Sequence, residues 1–205
     1  MDLVLVRHAE PVRLTAADTG GSPADPGLTA RGHEQAARLA AWLAHEPFDA
    51  MVTSSKRRAV ETAAPITAAL GLEPVVDDGW IEYDARADHY ITMEELRATD
   101  DPRVRAMVEG RGHEFGGEPP EEFRARITHA LDGVVAAHAG ERVLVVCHGG
   151  VINVALAIVL GLEQHLWFDP GYTSISRIVA SRGGIRSAVA INETAHLVAT
   201  RETRA

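Results

Sequence analysis

Three short apolar runs constrain the fold most, because polar residues do not alternate through them. They cover residues 3–6, 48–52 and 143–146, and only Asp49 interrupts them. Strands buried on both faces have this pattern, and such strands occur mainly in parallel sheets covered by helices. The three runs therefore predict central strands of an α/β protein.

Helical periodicity separates these runs. The expected helices cover about 29–45, 56–70, 120–138 and 149–160, and Pro65 predicts a kink or a break in the second of them. Near the end of the chain, Gly183-Gly184 joins two expected strands, 174–180 and 187–191, into a hairpin. Strands that alternate with helices predict a three-layer α/β/α sandwich with a mostly parallel sheet.

Residues 84–119 do not follow this alternation. They contain Pro102, Pro119, a Gly116-Gly117 pair and many charges, with short helical pieces only at 93–99 and 103–108. We interpret them as a cap insertion over one end of the sheet. The length of 205 residues fits a single domain, 1–205, that includes this cap.

Charge and cysteine content exclude several classes of function. The net charge of −9 argues against a nucleic-acid partner, which selects a basic surface. Cys147 is the only cysteine, so an internal disulfide and a zinc site of several cysteines are excluded. The first residues do not resemble a signal peptide, and no apolar run is long enough to span a membrane. We therefore expect a cytoplasmic protein without a membrane partner.

Polar side chains follow the predicted strands where each strand ends. His8 follows Arg7 after the first run, and His148 precedes Gly149-Gly150 after the last. The middle run ends in residues 53–58, which include hydroxyl groups and Arg58. Ligands in open α/β sheets bind beyond the carboxyl ends of the strands. Guanidinium groups and a helix N-terminus both favour phosphate, so these residues predict a phosphoryl pocket.

Two interpretations of the histidines follow from the residues alone. A neutral imidazole can attack phosphorus and carry the phosphoryl group, and neighbouring arginines keep the imidazole neutral while they stabilise the transferring charge. Alternatively, each histidine is a polar strand end that bonds to a loop. The strand-end pattern does not decide between them.

Six short motifs occur in a fixed order along most of the chain, at residues 7–10, 25–36, 54–63, 80–82, 145–150 and 191–197. They read Arg-His-Ala-Glu, Asp-x-x-Leu-Thr-x-x-Gly-x-x-Gln-Ala, Ser-x-x-x-Arg-Ala-x-x-Thr-Ala, Trp-Ile-Glu, an apolar run before His-Gly-Gly, and Asn-x-x-x-His-Leu. Together they resemble the histidine phosphatase superfamily, also called the phosphoglycerate mutase-like family. Each motif alone is weak, and the ordered set is specific.

The resemblance implies roles for individual residues. His8 would be the phosphorylated nucleophile, and Glu82 would be the general acid for the leaving oxygen. The phosphoryl oxygens would be held by Arg7, Arg58 and His148, with a donor from the Gly149 amide. No metal and no cofactor are implied. By spacing alone Glu82 has acidic rivals nearby, which are Asp77, Asp78, Asp84 and Asp88.

Two departures from the family pattern bear on the reaction. Ala9 replaces the usual glycine, which a negative φ would permit, and Leu14 stands where mutase-like members have an asparagine. The missing asparagine and the short cap favour hydrolysis over phosphoryl return. We therefore predict a histidine acid phosphatase-type hydrolase of a phosphorylated small molecule. A phosphomutase and a non-catalytic phosphate-binding module are the alternatives, and a homodimer is common in the resembled family.

A few residues are harder to assign. Glu10 either orients the arginines or is simply exposed, and Arg13 is a candidate replacement for the missing asparagine. Cys147 is interpreted as a small buried apolar residue, because neighbouring strand residues point to opposite faces. The cap arginines alternate with acids, which favours a mixed solvated surface; they are Arg86, Arg97, Arg103, Arg105 and Arg111.

Overall fold

A six-stranded sheet organises the protein, which we describe from a computed structural model of residues 1–198. The strands are β1 (Asp2–Arg7), β2 (Ala50–Thr53), β3 (Val75–Val76), β4 (Arg142–Cys147), β5 (Ile175–Ala180) and β6 (Arg186–Glu193). The helices are α1 (Ala16–Thr19), α2 (Ala30–Leu43), α3 (Arg57–Leu70), α4 (Met93–Ala98), α5 (Pro102–Val108), α6 (Pro120–Ala137) and α7 (Gly149–Leu160). Short 3₁₀ helices cover Asp78–Trp80, Gly112–Phe115 and Ala195–Leu197.

The strand order is β3-β2-β4-β1-β5-β6, so the first strand lies in the middle of the sheet. Strands β1, β2, β3 and β4 run parallel, whereas β5 pairs antiparallel with both β1 and β6. The register places Arg7 opposite Cys147. Consequently the residues that follow β1 and β4 leave the sheet side by side.

Each central strand sends alternate side chains into two separate cores. Leu3 and Leu5 pack with α6 and α7, while Val4 and Val6 pack with α2 and α3 on the other face. Cys147 lies in the first of these cores and is fully buried, as expected for a small apolar residue. The unbroken apolar runs thus have the predicted cause, which is a sheet covered by helices on both faces, and the three-layer α/β/α prediction is confirmed.

Three local features differ from what the sequence predicted. Helix α3 continues through Pro65 without a break, because the packing of Ala63 and Ile66 in the core outweighs one lost backbone hydrogen bond. Strand β2 starts at Ala50 rather than residue 48, since the Asp49 carboxylate accepts the Arg142 amide at 2.8 Å and so replaces a ladder contact. Strand β3 was not predicted, because its two exposed valines are too short a run to indicate a strand.

Residues 84–119, which we call the cap segment, contain α4 and α5 where short helical pieces were expected. Thr92 and Asp101 cap these two helices by accepting backbone amides. The segment lines a cleft whose opposite wall includes His8 and Gly149. Within residues 1–198, no helix is both long enough and apolar enough to cross a membrane.

Candidate active site

Strand pairing brings the two predicted histidines together. The His8 amide donates to the Cys147 carbonyl at 2.9 Å, which extends the β1–β4 ladder by one residue. The ring centroids of His8 and His148 are then 5.1 Å apart, and both side chains are buried. The Ser54 amide joins the same edge by donating to the Val146 carbonyl.

The His8 imidazole is neutral and has one nitrogen free to react. Its Nδ1 lies 2.8 Å from the Ala9 carbonyl oxygen, which can only accept, so Nδ1 carries the proton and Nε2 keeps its lone pair. Burial, followed by the charges of Arg58 and Arg7, holds the pKa of His8 well below its usual value. This arrangement suits a nucleophile.

Two buried guanidinium groups surround this imidazole. Arg7 stacks on the Tyr172 ring at 4.0 Å, and its Nη1 donates to Glu94 at 2.7 Å. Arg58 stacks on the Tyr90 ring at 4.5 Å. Within the described residues, Arg7 Nε and the Nε and Nη2 atoms of Arg58 have no hydrogen-bond partner. A buried cation with unsatisfied donors is costly unless an anion binds it, so these groups fit an oxyanion.

His148 offers a further donor or acceptor beside His8. Its Nε2 lies 2.8 Å from Ser54 Oγ, while its Nδ1 is buried without a partner in the described part of the chain. Burial and the charge of Arg58 hold the pKa of His148 well below its usual value. The Ser54 hydroxyl therefore fixes the orientation of a neutral ring.

Glu82 reaches the N-terminus of α7. Its carboxylate accepts the Gly150 amide at 2.9 Å and the Tyr83 amide at 3.1 Å. A Cβ on Gly150 would lie only 2.4 Å from Glu82 Oε1, so a larger residue at this position would displace the Glu82 carboxylate. Burial, followed by the charge of Asp84, raises the pKa of Glu82 to about 7. A side chain with this pKa can donate a proton near neutral pH.

Three of the four other acids named near Glu82 have contacts of their own. Asp84 lies 3.6 Å from Arg58, Asp77 accepts the Gly79 amide, and Asp88 pairs with His89. The segment that leads to Glu82 is attached to α6, because Arg126 Nη1 donates to the Gly79 and Ile81 carbonyls. Arg126 had no sequence signal, since a helix arginine is usually solvated.

Three other groups at the site were missed from the sequence, namely Glu94, Tyr90 and Tyr172. Glu94 accepts from Arg7 and from the Tyr172 hydroxyl, and no motif marked it. The loop that carries Tyr172 is held by the last motif. The Asn192 side chain accepts the Gly171 amide, and His196 Nε2 contacts Thr173 Oγ1. That motif was therefore a usable signal for a loop beside the site.

The residues left unassigned from the sequence lie outside the reacting centre. Glu10 accepts the Thr29 hydroxyl at 3.0 Å and lies near Arg31, so it orients neither Arg7 nor Arg58. Arg13 is more than half exposed and pairs with Glu95. Ala9 is fully buried and does not belong to the non-glycine residues with positive φ, so its methyl group is accommodated.

Most cap arginines form ion pairs, as a mixed surface predicts. Arg97 pairs with Asp169, and Arg103 with Asp101, and both arginines line the cleft. Arg105 and Arg111 share Glu109. Among residues 1–198, no three histidine, cysteine, aspartate or glutamate side chains are grouped so that they could hold a metal ion.

Comparison with known proteins identifies the class. The model of the histidine phosphatase superfamily (branch 1) matches residues 3–194, and this chain belongs to that family. It is 30% identical over 198 residues to phosphoserine phosphatase 1 of Hydrogenobacter thermophilus, covering 95% of this chain and 93% of that protein. It is also 30% identical to a probable phosphoglycerate mutase of Yersinia enterocolitica, covering 80% of this chain and 77% of that one.

A solved structure agrees with the fold. Phosphoserine phosphatase from Entamoeba histolytica, in complex with phosphoserine, has a TM-score of 0.74 and 23% identity, covering 96% of this chain and 99% of that one. Some curated relatives are longer. The chain covers only 54% of the first matching mycobacterial proteins, to which it is 29% identical, and so spans about half their length.

Proposed function

We propose that this chain is a phosphatase that hydrolyses a phosphomonoester through a phosphohistidine on His8. The observation that carries the proposal is the environment of that imidazole. A neutral ring with a free Nε2 lies near two buried guanidinium groups, and three of their nitrogen atoms have no hydrogen-bond partner in the described residues. A phosphoryl group satisfies those donors and presents phosphorus to the nitrogen.

In the first step, His8 Nε2 attacks phosphorus while the bond from phosphorus to the ester oxygen breaks. Glu82 gives its proton to the departing oxygen, so the alcohol leaves neutral. Arg7 and Arg58 hold the equatorial oxygens, and His148 and the Gly149 amide are the other proposed donors. Gly149 lies beside Arg7, because a Cβ added to it would be 3.4 Å from Arg7 Nε. Its amide is therefore near the proposed position of the phosphoryl group.

In the second step, water attacks the phosphorus of phosphohistidine. The Glu82 carboxylate accepts a proton from that water, and the bond between phosphorus and Nε2 breaks. His8 returns as a neutral imidazole, Glu82 is protonated again, and inorganic phosphate leaves. Arg7 and Arg58 supply the positive charge that stabilises both transition states. No cofactor enters either step.

The relatives support a small phosphorylated substrate, because one is a phosphoserine phosphatase by name. Another is a probable phosphoglycerate mutase, and this favours a phosphomutase as the second candidate. Leu14 in place of asparagine and the short cap segment support hydrolysis. The presence of His8, Glu82 and His148 together argues against a non-catalytic binding module. The histidine acid phosphatase type, a cytoplasmic location and a homodimer remain predictions.

Trapping the covalent intermediate tests the nucleophile. Rapid acid-free quench with phosphorus-labelled substrate should leave an alkali-stable, acid-labile label on the peptide that contains His8. His8→Ala should abolish the label and turnover, whereas His33→Ala, which changes an exposed helix histidine, should retain both. Full activity of His8→Ala would refute the proposal.

Product analysis separates hydrolysis from phosphoryl return. With 2- or 3-phosphoglycerate, inorganic phosphate should form faster than the isomer, because a mutase must exclude water while the intermediate turns around. Faster isomer formation would make the phosphomutase the better assignment.

A further inference from the structure

We infer that the substrate's leaving group is apolar, an extended alkyl or aryl group, and that it binds in an apolar annex of the cleft between the cap segment and the loop that follows α7. The inference rests on the proposed function, because it concerns the part of the substrate beyond the phosphoryl group. The annex is the outer half of the cleft that contains His8. Its lining side chains are Met93, Leu96, Met107, Phe115, Leu166 and Phe168.

The size of the cleft exceeds what a phosphoryl group needs. It encloses about 970 Å³ of open space, including its mouth to solvent. Arg7, His8, Glu82 and Gly149 line it at the reacting centre. The rest of the lining is mixed: it contains the apolar side chains of the annex and also charged or polar ones, among them Asp84, His89, Arg97, Arg103, Asn153 and Asp169. A leaving group attached to phosphorus at His8 therefore extends among thioether, aliphatic and aromatic groups.

A second cavity continues this surface. It holds about 370 Å³ of space when the solvent at its mouth is counted, and it shares Tyr83, Met107, Gly112 and Leu166 with the cleft. Pro120 and Phe123 complete its apolar part, and Glu118, which lines it too, is paired with Arg126. The two spaces adjoin at these shared residues, which we call the junction.

Several polar groups that line the annex are bonded to protein partners. Arg103 holds both oxygens of Asp101, and Arg97 pairs with Asp169. The Tyr83 hydroxyl donates to Met107 Sδ at 3.2 Å. A carboxylate on the leaving group would compete with Asp101 or Asp169 for these cations. Burial of apolar surface is the recognition that this wall offers.

Gly112 gives the annex a point at which it can be blocked. A Cβ there would meet Met107 Cγ at 3.6 Å and Tyr83 Cε2 at 3.7 Å, which are ordinary contacts, and its φ is not in the positive range. A small side chain is therefore tolerated, and a larger one fills the junction. Val108, which is exposed on α5 and does not line the cleft, supplies the matched control.

The test uses n-alkyl phosphates from ethyl to octyl, whose leaving alcohols have nearly equal basicity. In the wild type, kcat/KM should rise about threefold to fourfold per methylene until the annex is filled. Butyl phosphate should exceed phosphoserine and 3-phosphoglycerate by tenfold or more. Gly112→Leu should stop the rise at a shorter chain, so that octyl phosphate loses more kcat/KM than ethyl phosphate does, and Val108→Leu should change nothing.

Further readouts keep the result interpretable. Met107→Gln preserves the shape of the wall and adds a polar amide, so it should flatten the rise even if Gly112→Leu does not fold. Competitive binding of n-alkylphosphonates, measured by calorimetry, tests the annex without turnover. A flat dependence on chain length, or a preference for phosphoserine, would overturn the inference. Absence of both turnover and labelled His8 would instead refute the proposed phosphatase activity. The binding of alkylphosphonates would still show whether the annex prefers longer alkyl chains.

Discussion

Replacement of Glu82 by glutamine tests the general acid through stability as well as rate. The Glu82 carboxyl group is 8% exposed, and burial with the nearby charge of Asp84 raises its pKa from 4.5 to about 7. The folded protein thus binds this proton more tightly than the unfolded chain does. Below pH 4.5 the wild type has no loss of unfolding free energy from ionised Glu82. This loss, which we call the penalty, grows as pH rises towards 7.

The size of the penalty follows from the pKa change. A pKa unit corresponds to about 1.4 kcal/mol, so ionised Glu82 destabilises the fold by about 3 kcal/mol above pH 7. Glutamine cannot ionise. The unfolding free energy of Glu82→Gln minus that of the wild type should therefore rise by about 3 kcal/mol between pH 4 and pH 8. Changed hydrogen bonds to Gly150 and Tyr83 add a constant that cancels in this comparison.

The same substitution should slow the chemistry. Single-turnover phosphorylation of His8 by an alkyl phosphate should fall by roughly 10²–10⁴, the usual range for general acid catalysis. With p-nitrophenyl phosphate the loss should be much smaller, because nitrophenolate leaves without a proton. The ratio of wild-type to variant rates cancels ionisation of the substrate, and it should fall about tenfold per pH unit above pH 7.

Asp84→Asn is the matched variant. It removes a charge that raises the pKa of Glu82, so the fall of that rate ratio should begin at lower pH. Urea unfolding at several pH values and rapid quench provide the two data sets. Equal losses for both substrates, together with a stability difference that does not vary with pH, would refute the reasoning and make Asp84 the next candidate acid.

Further predictions concern the phosphoryl pocket. Activity should survive exhaustive chelation, and vanadate should inhibit, since Arg7 and Arg58 supply the charge that a metal would otherwise give; recovery by a divalent ion after loss would contradict this. Glu94→Gln should lower the inhibition constant of inorganic phosphate by up to about fivefold, because a partly exposed carboxylate no longer competes for Arg7; weaker inhibition would make Glu94 a positioning residue. Ser54→Ala should lower kcat/KM about tenfold by releasing the His148 ring, the worth of one hydrogen bond, and Ser54→Thr should restore it.

The layers of the fold were predictable because they depend on local pattern. Apolar runs such as residues 3–6 and 143–146 indicate strands that are buried on both faces, whatever lies beside them. Pairing was not predictable in the same way. Strand β3 has only two residues, which is too short for a pattern of apolar residues to mark it. The start of β2 was placed too early, because the Asp49 side chain replaces a ladder bond there.

From the residues alone, the candidate site could be predicted only at the carboxyl ends of the strands; Glu82 was named through the family resemblance. His8 and His148 extend paired strands, so any parallel arrangement of β1 and β4 places them together. Glu94 and Tyr172 come from the cap segment and from a distant loop, and only tertiary packing places them on Arg7. Charged residues of the cap segment follow no periodic pattern, so their ion pairs could be identified only from the structure.

The central position of β1 has a consequence for the timing of synthesis. Asp2 pairs with Arg142, 140 residues later in the chain, and the other neighbour of β1 is β5. At 5–20 residues per second, the apolar start of the chain waits roughly 10–30 s for its partners. During that time residues 3–6 are an apolar segment without their pairing partners, and such segments raise the risk of aggregation. A ribosome product that stops before residue 142 is expected to contain Arg7, His8, Arg58 and Glu82 and still lack the pocket that they form.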